Sequence, residues 1–325
     1  MKPHMDASDV VVRDDADRQA RRWGRGAFGV LVLLVVVAGL LLVPLPVTFR
    51  RPWLAPLLDA LHVPALAAVT VGLWFLSGRR LGLAVWLAAA WAVVFELLQL
   101  GVGRSWDPRD VVLGWIGITG AAMAVRLFAR PAKPCPRGRR LVLAGGSGML
   151  LVAVPLATGG PALLEIAHAW RAFPVLSDFR SGTEKHRWQI GSGTLVRLPD
   201  RETGGMAARL APLEGHTAYG AVLFPVRGDW RSWRRICFEF SVESVRQEVL
   251  LSVRDGRRLD PESQRRFDDQ RWYPPGRHRV CYSLDSLAGG NGHAPIDISR
   301  IQSVHLYVTY TPRPASVLVH QITLE

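Results

Sequence analysis

The chain has 325 residues, a formal charge of +13 and 49% hydrophobic residues, and that length suggests about two domains of ~150 residues each. Charge and apolar content are segregated: between Ala27 and Gly160 the only acids are Asp59, Glu96, Asp107 and Asp110, whereas residues 161–325 hold 22 basic and 18 acidic residues, an excess of +4. An ordinary one-domain soluble enzyme and a disordered chain are both excluded, and positive charge placed beside apolar runs argues for membrane topology and against nucleic acid as a partner.

Residues 1–26 are polar with alternating charge and read as a disordered tail. Five apolar runs follow: Ala27–Val47, Ala60–Leu76, Leu81–Leu100, Val111–Leu127 and Leu141–Ala157. Each is about long enough to cross a ~30 Å hydrocarbon core as a helix. With the N-terminus inside, fourteen Lys and Arg flank the inner ends of the runs and only Arg50, Arg51, Arg104 and Arg109 the outer ends. That bias places the tail in the cytoplasm and the C-terminal half outside. The first run lacks a small-x-small cleavage pattern before Arg50 and reads as an uncleaved anchor. Ser77-Gly-Arg-Arg80 is a tight turn joining the second and third runs into a hairpin. Gly114, Gly117 and Gly120 form a ridge that lets another helix approach closely. The linker 159–174 includes Pro161–Phe173, whose apolar residues have helical spacing, and reads as a short amphipathic helix lying on the membrane surface.

Ionisable groups within apolar spans are costly and need a partner or a function. Asp59 and His62, and Glu96 and Gln99, are each spaced i, i+3, on one face of their helices near the outer ends of the spans. The connecting loop adds Arg104 and Asp110, and Asp110 is placed to cap the fourth helix. These six residues are one candidate cluster with two readings. In one it is a latch, with Arg104 pairing Glu96 or Asp110 and Asp59 pairing His62. In the other it is a binding or catalytic site at the outer leaflet. Asp59-x-x-His62, Glu96-x-x-Gln99, Gly103-Arg104, Asp110 and Gly117 together resemble the VanZ-like membrane protein family over about residues 27–130, with Gly114 where that family has an Asn. The resemblance implies a bacterial envelope membrane protein and supplies no reaction.

From Val175 the pattern becomes short alternating runs between Gly, Pro and Asp turns. Eight or nine strands in residues 175–325 predict an all-β jelly-roll sandwich. Its core is expected to contain Ile236, Phe238, Phe240, Val280, Tyr282 and Leu284. Trp230, Trp233, Trp272 and Tyr273 lie in or beside turns and are candidate sugar platforms, the alternative being that they plug the sandwich ends. Asp178-Phe179, Asp229-Trp230-x-x-Trp233, Pro275-Gly276 and the closing run Val317–Leu324 resemble a carbohydrate-binding-module-like, galactose-binding-like sandwich. Such sandwiches often carry an Asp in the last strand near a structural calcium; His320-Gln321 stands there instead, so no metal is expected.

Cys135 falls in a cytoplasmic loop, whereas Cys237 and Cys281 fall outside, where disulfides persist. Alternation puts both on the non-core side of their strands, and they can bridge only if those strands are neighbours. Nucleotide-binding, zinc-protease and hydrolase motifs are lacking, and no cofactor is expected. The sequence therefore predicts a bacterial inner-membrane protein with a five-span helical domain over 27–158. That domain would hold a sandwich outside the membrane that engages an envelope or exported glycan or glycolipid without catalysis. The rival is a membrane enzyme acting on a lipid-linked or glycopeptide substrate at the outer cluster.

Overall fold

Among the described residues, the apolar runs of the first half fold as helices and the alternating runs of the second as strands. The computed structural model describes residues 52–101, 107–129, 136–255, 265–289, 295–309 and 315–325. The tail 1–26, the run Ala27–Val47, Arg104 and Cys135 lie outside the described residues, as does the side chain of Gln99. Residues Leu58–Gly159 belong to one compact unit and Gly160–Glu325 to another.

The helices are α1 (Leu54–Leu76), α2 (Leu81–Gly101), α3 (Pro108–Phe128), α4 (Arg137–Gly148) and α5 (Val154–Ala172), with a π turn at Met149–Ala153 between the last two. Among the described residues, four helices are long and apolar enough to cross a membrane: Leu54–Leu76, Leu81–Leu98, Pro108–Phe128 and Gly138–Ala172. These correspond to the second to fifth of the expected runs, and the first, Ala27–Val47, lies outside the described residues. The fifth run and the helix expected to lie on the membrane surface are a single element of 35 residues, roughly 50 Å long at 1.5 Å per residue. Pro161 does not interrupt it. Within it Glu165 is fully buried in the second unit, while Leu163, Leu164 and Trp170 are exposed.

The α1–α2 turn forms as expected, with Gly78 and Arg79 at positive φ. Asp107, not Asp110, caps α3. Its carboxylate accepts from the Arg109 N–H at 2.9 Å, and Pro108 occupies the first helical position, where its fixed φ suits the helix start. Asp110 is thereby turned into the bundle and buried. Leu66 and Val69 of α1, Ala88, Ala92 and Phe95 of α2 and Ile118 of α3 form a small core. The glycine ridge of α3 sets its spacing: a Cβ on Gly117 would meet the Val63 carbonyl oxygen at 2.1 Å, and one on Gly120 the Leu151 side chain at 2.8 Å. Away from this core the helices present large apolar side chains outward, with Trp86 77% and Phe128 81% exposed.

Among the described residues of the second unit eleven strands, more than the eight or nine expected, form two antiparallel sheets. They are β1 (Val175–Ser177), β2 (Trp188–Ile190), β3 (Gly193–Pro199), β4 (Met206–Pro212), β5 (Tyr219–Leu223), β6 (Arg235–Val242), β7 (Gln247–Arg254), β8 (Arg266–Tyr273), β9 (Gly276–Ser283), β10 (Ser303–Val308) and β11 (Val317–Leu324); a short helix α6 (Leu284–Ala288) follows β9. One sheet has the order β3-β4-β11-β6-β9, with β1 also paired to β11; the other is β2-β5-β10-β7-β8. The sandwich core contains Ile236, Phe238, Phe240, Tyr282 and Leu284 as expected, with Val280 partly buried against it. Strands β6 and β9 are neighbours in register Cys237↔Cys281, and the two cysteines form a disulfide with a Cα–Cα distance of 4.1 Å.

The Gly117 contact gives a direct prediction. A methyl group there overlaps a backbone oxygen that cannot rotate away, so Gly117→Ala should cost about 1–3 kcal/mol and lower the melting temperature of the detergent-solubilised chain. Gly145→Ala, where the added carbon meets nothing within 4 Å, should not. Equal melting temperatures for the two variants would refute the close crossing.

Candidate functional site

Among the described residues, constellations of polar side chains occur in both units. In the helical unit, His62 of α1, Glu96 of α2 and Asp110 of α3 are all buried, and their donor atoms lie within 4.8 Å of one another. Helical side chains lean toward the N-terminus of their helix, which carries the His62 ring toward the start of α3. Its Nε2 lies 3.7 Å from Asp110 Oδ2, and its Nδ1 lies 3.2 Å from the Leu58 carbonyl oxygen. The expected Asp59–His62 pair does not form. Asp59 faces Arg109 at 3.6 Å in a partly exposed ion pair, because i, i+3 neighbours on one helix share a face but the arginine reaches in from α3. Three of the six residues singled out in the sequence thus converge, and Asp59 belongs to a surface pair.

The second constellation covers the outer face of the five-stranded sheet. Val249, Leu251 and Val253 of β7 and Val304, Leu306 and Val308 of β10 point into the core. Strand alternation therefore turns Leu250, Ser252 and Arg254, and His305 and Tyr307, outward. The register lines up Gln189, Val222, His305, Ser252 and Asp268 in one row, and Gly220, Tyr307, Leu250 and Gln270 in the next. Tyr307 packs directly over Gly220: a Cβ at that glycine would lie 1.9 Å from Tyr307 Cδ1 and 2.6 Å from its Cε1. Only glycine lets the ring lie across the sheet, a cross-strand aromatic–glycine pair. The His305 ring stands 5.7 Å from the Tyr307 ring, and its Nε2 lies 2.8 Å from the Ser303 hydroxyl. Burial, reinforced by the nearby Arg254 guanidinium, pushes the His305 imidazole down to about 3, and burial pushes the Tyr307 hydroxyl up. Both rings are neutral near pH 7.

The four aromatic residues expected to meet a ligand divide. Trp230 is fully buried and its indole N–H donates to the Arg227 carbonyl at 3.0 Å; Tyr273 is buried edge-on against Phe240. Both are core residues with no face to offer, because turn position in the sequence does not reveal which way a side chain points. Trp233 is half-buried against Phe173 and lines a cleft of about 600 Å³ with Arg231, Arg234, Arg235 and Asp285. Trp272 is 44% exposed, with the Arg246 guanidinium 5.2 Å from its ring centre. It shares the outer face with Tyr307, since it pairs with Glu248 two residues from Leu250. Sequence reasoning missed Tyr307, His305 and Gly220. The signal was present in Gly220 interrupting an otherwise apolar strand, which marks a close approach.

On the outer face of the other sheet, Ser241 Oγ lies 2.7 Å from His320 Nε2, and His320 Nδ1 lies 2.9 Å from Asp200 Oδ2. The order is that of a nucleophile, base and orienting acid, but Ser241 sits mid-strand between Leu318 and Arg277, and Arg277 reaches within 4.0 Å of Asp200. The relay ties the turn after β3 to β11 and β6. Burial alone would raise the Asp200 carboxyl, but hydrogen bonds from Thr203, the Glu202 N–H and His320 outweigh it and hold the group at about 2.

No family model matches the chain, and no curated protein matches it. Among solved structures it is similar to a family 11 carbohydrate-binding module from Clostridium thermocellum in complex with a β-1,3-1,4-mixed-linked tetrasaccharide. Identity is 15%, over 46% of this chain and 93% of that one, with a TM-score of 0.37. It is also similar to a xylan-binding domain of family 22 (13% identity, 45% and 90% coverage, TM-score 0.31) and to an exo-β-agarase, of which it spans a quarter (14% identity, 46% and 25% coverage, TM-score 0.37). At such TM-scores the sandwich is defined by its own strand order.

The neutral, buried His305 makes stability depend on pH. Its folded value lies below the ~6.5 of an exposed imidazole, so its contribution is intact above pH 6.5 and is lost as the pH falls toward 3, where the unfolded chain binds a proton the folded chain refuses. Between pH 7.5 and 4.5 this amounts to on the order of 2 kcal/mol. The drop in melting temperature between those two pH values should be smaller in His305→Gln. An unchanged drop would mean that His305 is solvated.

Proposed function

We propose that this chain is a multi-pass protein of a bacterial inner membrane that holds its sandwich on the outer side and binds a glycan there without catalysis. The observation that carries the binding reading is Tyr307 lying over Gly220 amid hydrogen-bonding side chains. A pyranose ring has an apolar face that packs on an aromatic ring and an equatorial rim of hydroxyls. Tyr307 supplies the first contact. Gln189, Gln270 and Asp268 line the rows around it and supply donors and acceptors for the second. Trp272 extends the platform along the same face. Both signs of charge occur on it, from Arg254, Arg266, Asp268 and Glu248, which suits a polyhydroxylated ligand better than a strongly charged one.

Membrane residence is supported by four helices of sufficient length and apolarity, and by their outward-facing Trp86, Phe128, Leu141 and Leu156. Such surfaces are stable in lipid and a liability in water. The arginine bias supports the orientation. The resemblance of Asp59-x-x-His62, Glu96-x-x-Gln99 and Asp110 to the VanZ-like family supports a place in the cell envelope.

One experiment tests display and binding together. Bacterial spheroplasts producing the chain should retain a fluorescent oligosaccharide selected from a panel of envelope and exported glycans. Tyr307→Ala should cut retention at least about tenfold, the loss of one good stacking contact, with the amount of folded protein at the assay temperature unchanged although its melting temperature falls with the lost Gly220 contact. Retention that survives Tyr307→Ala, or no retention of any glycan by spheroplasts and by the purified full chain, would overturn the proposal.

A further inference from the structure

The cluster in the helical unit points to a ligand that the sandwich does not involve. His62, Glu96 and Asp110 are 4%, 3% and 5% exposed and come from three successive helices whose shared core is otherwise apolar. The His62 ring limits what they can hold. Its Nδ1 lies 3.2 Å from the Leu58 carbonyl oxygen, a group that only accepts, so Nδ1 carries a proton and Nε2 is the nitrogen left to offer a lone pair to the cluster. Nε2 is buried, makes no hydrogen bond and faces Asp110 Oδ2 at 3.7 Å.

That separation is too long for a hydrogen bond. It is close to the ~3.4 Å between two ligands of one tetrahedral ion with bonds of ~2.1 Å. A lone pair and a carboxylate oxygen repel unless a cation lies between them, and all three donor atoms already lie within 4.8 Å of one another, so side-chain rotation suffices to close on one ion. The Leu58 carbonyl fixes the tautomer, as the outer partner of a metal-bound imidazole does. The close crossing of Gly117 on Val63, the residue after His62, holds α1 and α3 at the spacing the donors need.

We propose that His62 Nε2, Glu96 and Asp110 form a binding site for a divalent transition-metal cation, zinc by preference. The imidazole selects against magnesium and calcium, which favour all-oxygen sites. Two carboxylates match the charge of the ion, and three protein donors leave a tetrahedral zinc one position for water. The site is independent of glycan binding by the sandwich.

The test uses the full chain in detergent, stripped with a chelator and then offered Zn²⁺ or Co²⁺. About one Zn²⁺ per chain should bind, Co²⁺ should give visible d–d bands that Zn²⁺ bleaches, and Zn²⁺ should raise the melting temperature. His62→Asn, Glu96→Gln and Asp110→Asn should each weaken binding at least about tenfold, whereas Glu214→Gln, on an exposed acid, should not. X-ray absorption of the zinc-loaded wild-type chain should find a single imidazole among oxygen donors, a readout that stands even if a variant fails to fold. A folded wild-type chain that takes up neither ion, full-affinity binding by the triple variant, or a first shell with no imidazole or more than one would each overturn the site. A latch held by an imidazolium–carboxylate pair would then describe the cluster.

Discussion

The layer of apolar side chains between the two sheets is the constraint from which the candidate face follows. Once Val249, Leu251 and Val253 and Val304, Leu306 and Val308 are committed to it, the period of two leaves no freedom for the residues between them. Leu250, Ser252, Arg254, His305 and Tyr307 must line the opposite side. A slip of one residue would bury the arginine and expose the valines, so the register is strongly specified. The Cys237–Cys281 bridge secures the same register between β6 and β9. Closing a loop of 44 residues, it restricts the unfolded chain by about 4 kcal/mol in a chain-entropy account.

The buried charge of Glu165 enters the interior of the sandwich unit with partners. Glu165 of α5 is fully buried, yet Arg187 donates to it at 2.6 Å and the Thr183 hydroxyl at 2.9 Å, while the same arginine donates to the Leu176 carbonyl. Glu184 lies 3.5 Å from that guanidinium, and burial still raises its carboxyl. Removing one member would strand a buried charge, which costs more than the pair gains. This network makes the end of α5 part of the sandwich unit, so the polar side of the helical stretch Pro161–Phe173 has partners there. The spacing reported an apolar face correctly, but not what would cover it.

Period and composition made most of the fold legible. Apolar runs with few acids are helices, alternating runs are strands, and Ile236, Phe238 and Phe240 face the core as their alternation requires. The candidate sites were less legible, because a site depends on which strands and helices become neighbours. His62, Glu96 and Asp110 could be recognised as costly groups at one depth of a bundle, whereas Asp59 could be assigned to Arg109 only when α3 was in place. Trp230 and Tyr273 had the right residue types in the right turns and proved to be interior. Tyr307 was inconspicuous because its importance comes from a glycine 87 positions earlier in the chain, across a strand pair. The cysteine pairing was undecidable for the same reason: it needed the order of strands in the sheet.

The central claim is that the outer face of the five-stranded sheet is where a sugar sits. The most direct measurement is a structure of the full chain determined with an oligosaccharide that its glycan-retaining cells select. The expected result is a pyranose ring stacked on Tyr307, with its hydroxyls hydrogen-bonded to Gln189, Gln270 or Asp268. A sugar held instead in the cleft beside Trp233, with the Tyr307 face bare, would contradict it.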